Sequence, residues 1–123
     1  MVLIHAREFA STLATPTLIT NPVGRLVYYN EAAEQLLGRS FAEMGELPAE
    51  EWTAMFDPRT LELEPLAPEK TPGGRALRTQ RPTHGEFRIT SLDGVEREIS
   101  ATAFPLFAHV DEFVGVVAIF WDA

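Results

Sequence analysis

The sequence contains no cysteine in its 123 residues. That absence removes disulfides, thiolate metal sites and every mechanism that needs a thiol nucleophile, and it leaves the redox compartment unmarked. Long hydrophobic runs are also missing: nothing approaches the roughly twenty apolar residues of a spanning helix. The N-terminus has too short an apolar run for a signal segment and carries Arg7 and Glu8 soon after it. A cytoplasmic protein with no membrane partner is therefore expected. Basic residues are scarce, ten against eighteen acidic, and the formal charge of −8 opposes a nucleic-acid partner held by phosphate neutralisation. Histidine occurs only at His5, His84 and His109, dispersed and without metal-ligand spacing. Repeats and low-complexity tracts are absent.

What is present begins with size and hydrophobicity. The chain is long enough for one domain, and 46% of its residues are hydrophobic, enough for a packed core. The stretch Val114 to Trp121 is uncharged and rich in β-branched and aromatic residues, which predicts a strand. One parity is Val114, Val116, Ala118, Phe120 and the other Gly115, Val117, Ile119, Trp121. Both parities are apolar, so the strand should be covered on both faces.

The rest of the chain supplies candidate covers. Val2, Ala6, Phe9 and Leu13 recur at helical spacing and predict an amphipathic N-terminal helix within residues 1–15, ended before Pro16. A short β-prone run, Thr17 to Thr20, then the turn Asn21-Pro22-Val23-Gly24 and the strand Arg25 to Tyr29 predict a hairpin. Asn30 before Glu31 and Gly38 after Leu37 are the N-cap and left-handed C-terminal signals of a short helix. Ser40 to Lys70 is acidic and proline-rich, with short helical turns expected at Phe41 to Met44 and Ala49 to Phe56. Pro72 opens a further short helix carrying Arg75, Leu77 and Arg78. His84 to Leu92 and Val95 to Leu106 read as strands joined by an Asp93-Gly94 turn, with Ile99, Ala101 and Ala103 on one face.

The run Gly24-Arg25-Leu26-Val27-Tyr28-Tyr29-Asn30-Glu31-Ala32-Ala33-Glu34-Gln35-Leu36-Leu37-Gly38 resembles the PAS domain family, in which a strand leads into an Asn-capped helix ending Leu-Gly. Gly85-Glu86-Phe87-Arg88, Asp93-Gly94, the strand to Pro105 and Val114-Gly115-Val116-Val117 resemble that family's last three strands. The resemblance implies an α+β fold over residues 16–123: a five-stranded antiparallel sheet in the order 2-1-5-4-3, short helices on one face, and the N-terminal helix as a cap. It also implies a sensory and protein-interaction function without catalysis, in a homodimer, with the signalling partner or output domain outside this chain.

If the register follows the family, the cavity between sheet and helices is lined from Leu26, Tyr28, Leu36, Met44, Trp52, Met55, Phe56, Leu77, Phe87, Ile89, Ile99, Ala101, Val117 and Ile119. Arg75 and Arg78 are candidate anion contacts for a weakly acidic ligand. Val114, Val116, Ala118 and Phe120 would then face outward, to meet Val2, Ala6, Phe9 and Leu13 of the cap helix or a second subunit. The family's thiol-linked chromophores need a cysteine and are excluded. Haem is not expected, because the helix from Pro72 to Thr79 has no histidine and His84 lies past it, at the start of a strand. The apolar lining leaves room for a non-covalent flavin or a fatty or aromatic ligand. The alternatives are an interaction domain with a collapsed, empty cavity and a small ketosteroid-isomerase-like enzyme. The latter needs a buried Asp or a His/Asp pair, whereas Asp57, Asp93, Asp111 and Asp122 fall in predicted loops and turns. Glu86 and Arg88, on one strand parity, are expected to pair across the ladder with Glu96, Glu98 or Thr102.

Overall fold

In the computed structural model, which describes residues 2–123, the uncharged C-terminal stretch is the central strand of the sheet. The elements are α1 (Val2–Ala10), β1 (Thr17–Thr20), β2 (Leu26–Tyr29), α2 (Glu31–Leu37), α3 (Phe41–Met44), α4 (Ala49–Phe56), a 3₁₀ turn at Pro68–Lys70, α5 (Pro72–Thr79), β3 (Thr83–Thr90), β4 (Glu96–Phe107) and β5 (Phe113–Asp122). The strands form one antiparallel sheet in the order β2-β1-β5-β4-β3. The helices from α2 to α5 pack on one face and α1 on the other.

Local chemistry sets the element ends. Asn30 caps α2, its Oδ1 accepting the Ala33 N–H at 3.0 Å, and Gly38 closes the helix in the left-handed region at φ 91°. The hydroxyls of Ser40 and Thr71 cap α3 and α5 in the same way. Helix α1 ends at Ala10, short of Leu13, because the chain turns there through Thr12 and Leu13, whose N–H groups bond the carbonyls three residues back.

A single bulge decides how β5 faces. Ala108 and Phe107 pair with Glu112 and Phe113 as in a regular hairpin, but Leu106 then pairs with Gly115, leaving Val114 as the extra residue. Without that extra residue Ile119 would stand opposite Ala101; with it, Phe120 does. A shift of one residue exchanges the two faces. Gly115 takes φ 155° at this point, and a side chain there would run into the Thr20 carbonyl oxygen and the Leu3 side chain.

The exchange corrects the expected faces. Val116, Ala118 and Phe120 turn toward the helical layer, while Val117 packs with Ala10, Ile19, Leu3 and Ala6 on the α1 side. Ile119 also packs on that side, and Trp121 is exposed beside His84, with ring centroids 6.2 Å apart. The residues of α1 that meet the sheet are Leu3, Ala6 and Ala10, not the stripe Val2, Ala6, Phe9, Leu13; Phe9 is 66% exposed. The two small alanines lie one helical turn apart and present little bulk between α1 and the strands.

Candidate functional site

Between the helical layer and the sheet lies a cavity of about 330 Å³ that opens to solvent at one side. Its floor comes from alternate residues of four strands, Leu18 and Thr20 of β1, Val116, Ala118 and Phe120 of β5, Ile99 and Ala101 of β4, and Phe87 and Ile89 of β3, and from Leu26 and Tyr29 of β2, which share a face because the β1–β2 register shifts at Val27. Leu37 of α2, Trp52, Thr53 and Phe56 of α4, and Gly73, Gly74, Leu77 and Arg78 of α5 form the opposite wall. Gly24, Ala49, Pro58, Pro68, Glu69, Thr71 and Pro72 complete the lining.

Ala101 and Ala118 contribute only methyl groups to the floor. Gly74 lets α5 approach the 3₁₀ turn, since a Cβ would fall 2.8 Å from the Glu69 Cα. Trp52 is anchored across the cavity edge by its Nε1, which donates to the Gly24 carbonyl at 3.0 Å. Tyr29 directs its hydroxyl away from ligand chemistry and donates to the Arg39 carbonyl at 2.7 Å. Burial pushes the Tyr29 phenol up from 10.0 to about 12, with a further push from the nearby Glu34 carboxylate. Glu69 and Arg78, both exposed, are the charged residues of the lining, and Arg78 has no salt-bridge partner among the described residues.

Of the residues expected to line the cavity, Leu26, Trp52, Phe56, Leu77, Phe87, Ile89, Ile99 and Ala101 do, and Arg78 joins them. Leu36 and Met44 belong to the same core cluster without reaching the lining, and Met55 is on the surface, 36% exposed. Tyr28 faces the other way and stacks under the Arg7 guanidinium of α1, 4.7 Å from the ring centroid, while its neighbour Tyr29 takes the cavity position. Val117 and Ile119 lie on the α1 face, as the bulge requires. Arg75 reaches the β3 edge, where its Nη2 donates to the His84 carbonyl at 3.0 Å. His84 is on the outer face with Nδ1 2.7 Å from Thr102 Oγ1. Arg88 pairs across the ladder with Glu98 at 3.5 Å. Among the described residues, no group of three His, Asp or Glu side chains is placed to hold a metal, and no helix is long and apolar enough to cross a membrane.

Sequence reasoning missed the reach of Asn30. Beyond capping α2, its Oδ1 accepts from the Thr17 N–H at 3.0 Å, and its Nδ2 donates to the Ala10 and Thr15 carbonyls, both at 3.0 Å. One amide thus joins the end of α1, the start of β1 and the first turn of α2. The capping position was the only signal available in the sequence.

A family model described as "PAS domain" matches residues 14–123. Solved structures similar to the chain include a PAS domain from Colwellia psychrerythraea, at TM-score 0.67 and 16% identity over 100% of this chain and 98% of that one. The PAS domain of nitrogen regulation protein NR(II) from Vibrio parahaemolyticus matches at TM-score 0.66 and 14% identity, covering 96% and 97% of the two chains. The PAS domain from the fruit-fly ELK potassium channel matches at TM-score 0.72 and 12% identity, covering 99% and 97%. No curated protein matches the chain.

Proposed function

The chain belongs to the PAS domain family of sensory and signalling domains, and from that premise we propose that it is a non-enzymatic sensor whose central cavity takes a small apolar or weakly acidic ligand. The cavity carries this reading: about 330 Å³ lies within the range of small-molecule sites, roughly 300–1,000 Å³, and its walls are almost wholly hydrocarbon. A collapsed interior would leave no such space. A weak acid would set its carboxylate at Arg78 on the rim and its hydrocarbon inside. Ketosteroid-isomerase chemistry has no support, because among the described residues no Asp or His lines the cavity and the Tyr29 hydroxyl is already engaged as a donor.

The route from ligand to output runs through β5. Val116 and Ala118 touch the cavity while Val117, between them, packs against α1 on the reverse face. A ligand that fits one placement of β5 better than another shifts the docking of α1 by that difference in affinity. Helix α1 leaves Ile4 51% and Phe9 66% exposed, which supports pairing with a second copy through this helix.

Native mass spectrometry with the absorption spectrum of the purified protein tests the cavity. Bound mass, or binding of added decanoic acid or indole, should appear in the wild type and be lost in Ala118→Phe, whose ring occupies the space. Circular dichroism should show that the variant is folded. A wild type that binds none of these would refute the reading. For the pairing, Phe9→Asp should reduce the light-scattering mass to that of a monomer; an unchanged dimer would remove α1 from the interface.

A further inference from the structure

We propose that the open edge of β3 binds a free α-amino acid with an apolar side chain, held as a one-residue extension of the sheet. Strand β3 lies at the sheet's edge, and along such an edge every second residue turns its N–H and C=O outward. Arg88 is one such residue, and both its groups bond to Arg59 at 2.8 Å. His84, four residues earlier, has its carbonyl taken by Arg75 Nη2 at 3.0 Å. Between them stands Glu86, whose N–H and C=O no other segment reaches among the described residues. The unpaired stretch is one residue long and blocked at both ends. An incoming strand has no room, whereas a single amino acid does.

A pocket of about 260 Å³ opens at this gap, outside the central cavity, and shares only Pro72 and Phe87 with its lining. Antiparallel pairing fixes the orientation of the occupant. Its acceptor must meet the Glu86 N–H on the Gly85 side, and its donor must meet the Glu86 C=O on the Phe87 side. The charges of the pocket follow the same polarity. Arg75 stands at Gly85, where an added Cβ would be 2.9 Å from Nη2, and its Nε is buried without a hydrogen-bond partner. Lys70 adds a second cation, and neither Arg75 nor Lys70 forms a salt bridge among the described residues. The segment that runs on from Arg59, at the other end of the gap, brings Glu62. A carboxylate therefore meets Arg75 and the Glu86 N–H, and an ammonium meets Glu62 and the Glu86 C=O. With cations and carboxylates balanced in one pocket, a zwitterion is matched better than a simple anion. Leu61 and Leu66 supply an apolar wall for the ligand's side chain.

Amide NMR of the full chain titrated with L-leucine tests the site. Saturable shifts should centre on Gly85, Glu86 and Phe87. Leucinamide, which lacks the carboxylate, and N-acetyl-leucine, which lacks the ammonium, should each bind about tenfold to a hundredfold more weakly, the loss of one charge-assisted bond. Arg75→Met should weaken leucine similarly. Because Arg75 also supports the His84 carbonyl, Glu62→Gln, at an exposed loop residue, is the second variant and should weaken leucine about tenfold with an otherwise unchanged spectrum. The proposal is overturned if Glu86 shows no saturable shift, if shifts are confined to Leu26, Val116 and Ala118 of the central cavity, or if the blocked compounds bind as well as leucine.

Discussion

Replacing Asn30 with alanine should unlock the join between the cap helix and the rest of the domain. Asn30 is 1% exposed, so water reaches the partners it leaves behind only at the part-buried carbonyls of Leu13 and Thr15 that follow α1. The substitution deletes two accepted bonds, from the Thr17 and Ala33 N–H groups at 3.0 Å, and three donated ones, to the Ala10 and Thr15 carbonyls at 3.0 Å and to the Leu13 carbonyl at 3.4 Å. A hydrogen bond contributes about 1 kcal/mol net, and a buried polar group left unpaired costs about 1–3 kcal/mol. Partial relaxation, with water reaching the α1 end, brings the expected loss to about 3–5 kcal/mol, a large share of the roughly 5–15 kcal/mol that a domain possesses. Urea unfolding followed by the fluorescence of Trp52 and Trp121 measures it. With an m-value of about 1.5–2 kcal/mol per M, the midpoint should fall by about 2 M at unchanged slope. Asn30→Asp should retain the cap on α2, where Oδ1 accepts, and lose the donated bonds. A loss below about 1 kcal/mol in the alanine variant would mean that Asn30 acts only as a helix cap.

Two further perturbations probe the frame around the cavity. Gly115→Ala forces a Cβ toward the Thr20 carbonyl at φ 155° and should destabilise by about 2 kcal/mol or more, whereas Gly94→Ala, at φ 86° in open space, should cost about 1 kcal/mol; equal melting temperatures for the two would contradict the bulge geometry. Tyr29, pushed up to about 12, favours the neutral phenol in the folded state, so its contribution is whole below pH 10 and is lost as the pH rises from 10 toward 12. Ultraviolet titration should show Tyr29 ionising well above pH 10, and Tyr29→Phe should flatten the alkaline decline in stability; a decline as steep in that variant would place its cause elsewhere.

The sequence revealed the element order, the Asn30 cap, the Asp93-Gly94 turn and the two-sided burial of β5, because each is written in local chemistry or in patterning. The faces of β5 were not legible for a physical reason. Period-two alternation assigns a face only when one side is polar, and both parities of Val114 to Trp121 are apolar. On β4 the alternation of Ile99, Ala101 and Ala103 with Glu98, Ser100 and Thr102 is clear, and counting across a regular hairpin from it gives the wrong partner for Ala101. The extra residue at Val114 changes the count, and its one trace in the sequence is Gly115 within an otherwise β-branched run. Tyr28 and Tyr29 pose the same ambiguity, two adjacent aromatics of which one faces the cavity and one meets Arg7. The β3 edge site was invisible for another reason: it is made by main-chain groups left unpaired between Arg59 and Arg75, which no residue pattern records.

Strand β5 presents the cavity on one face and the cap helix on the other, and methyl NMR of the wild-type chain titrated with indole tests that arrangement. Saturable shifts with direct probe-to-methyl contacts should appear at Val116 and Ala118, and none at Val117 or Ile119. Contacts at Val117 and Ile119 instead, or no saturable contact with any methyl of β5, would contradict it.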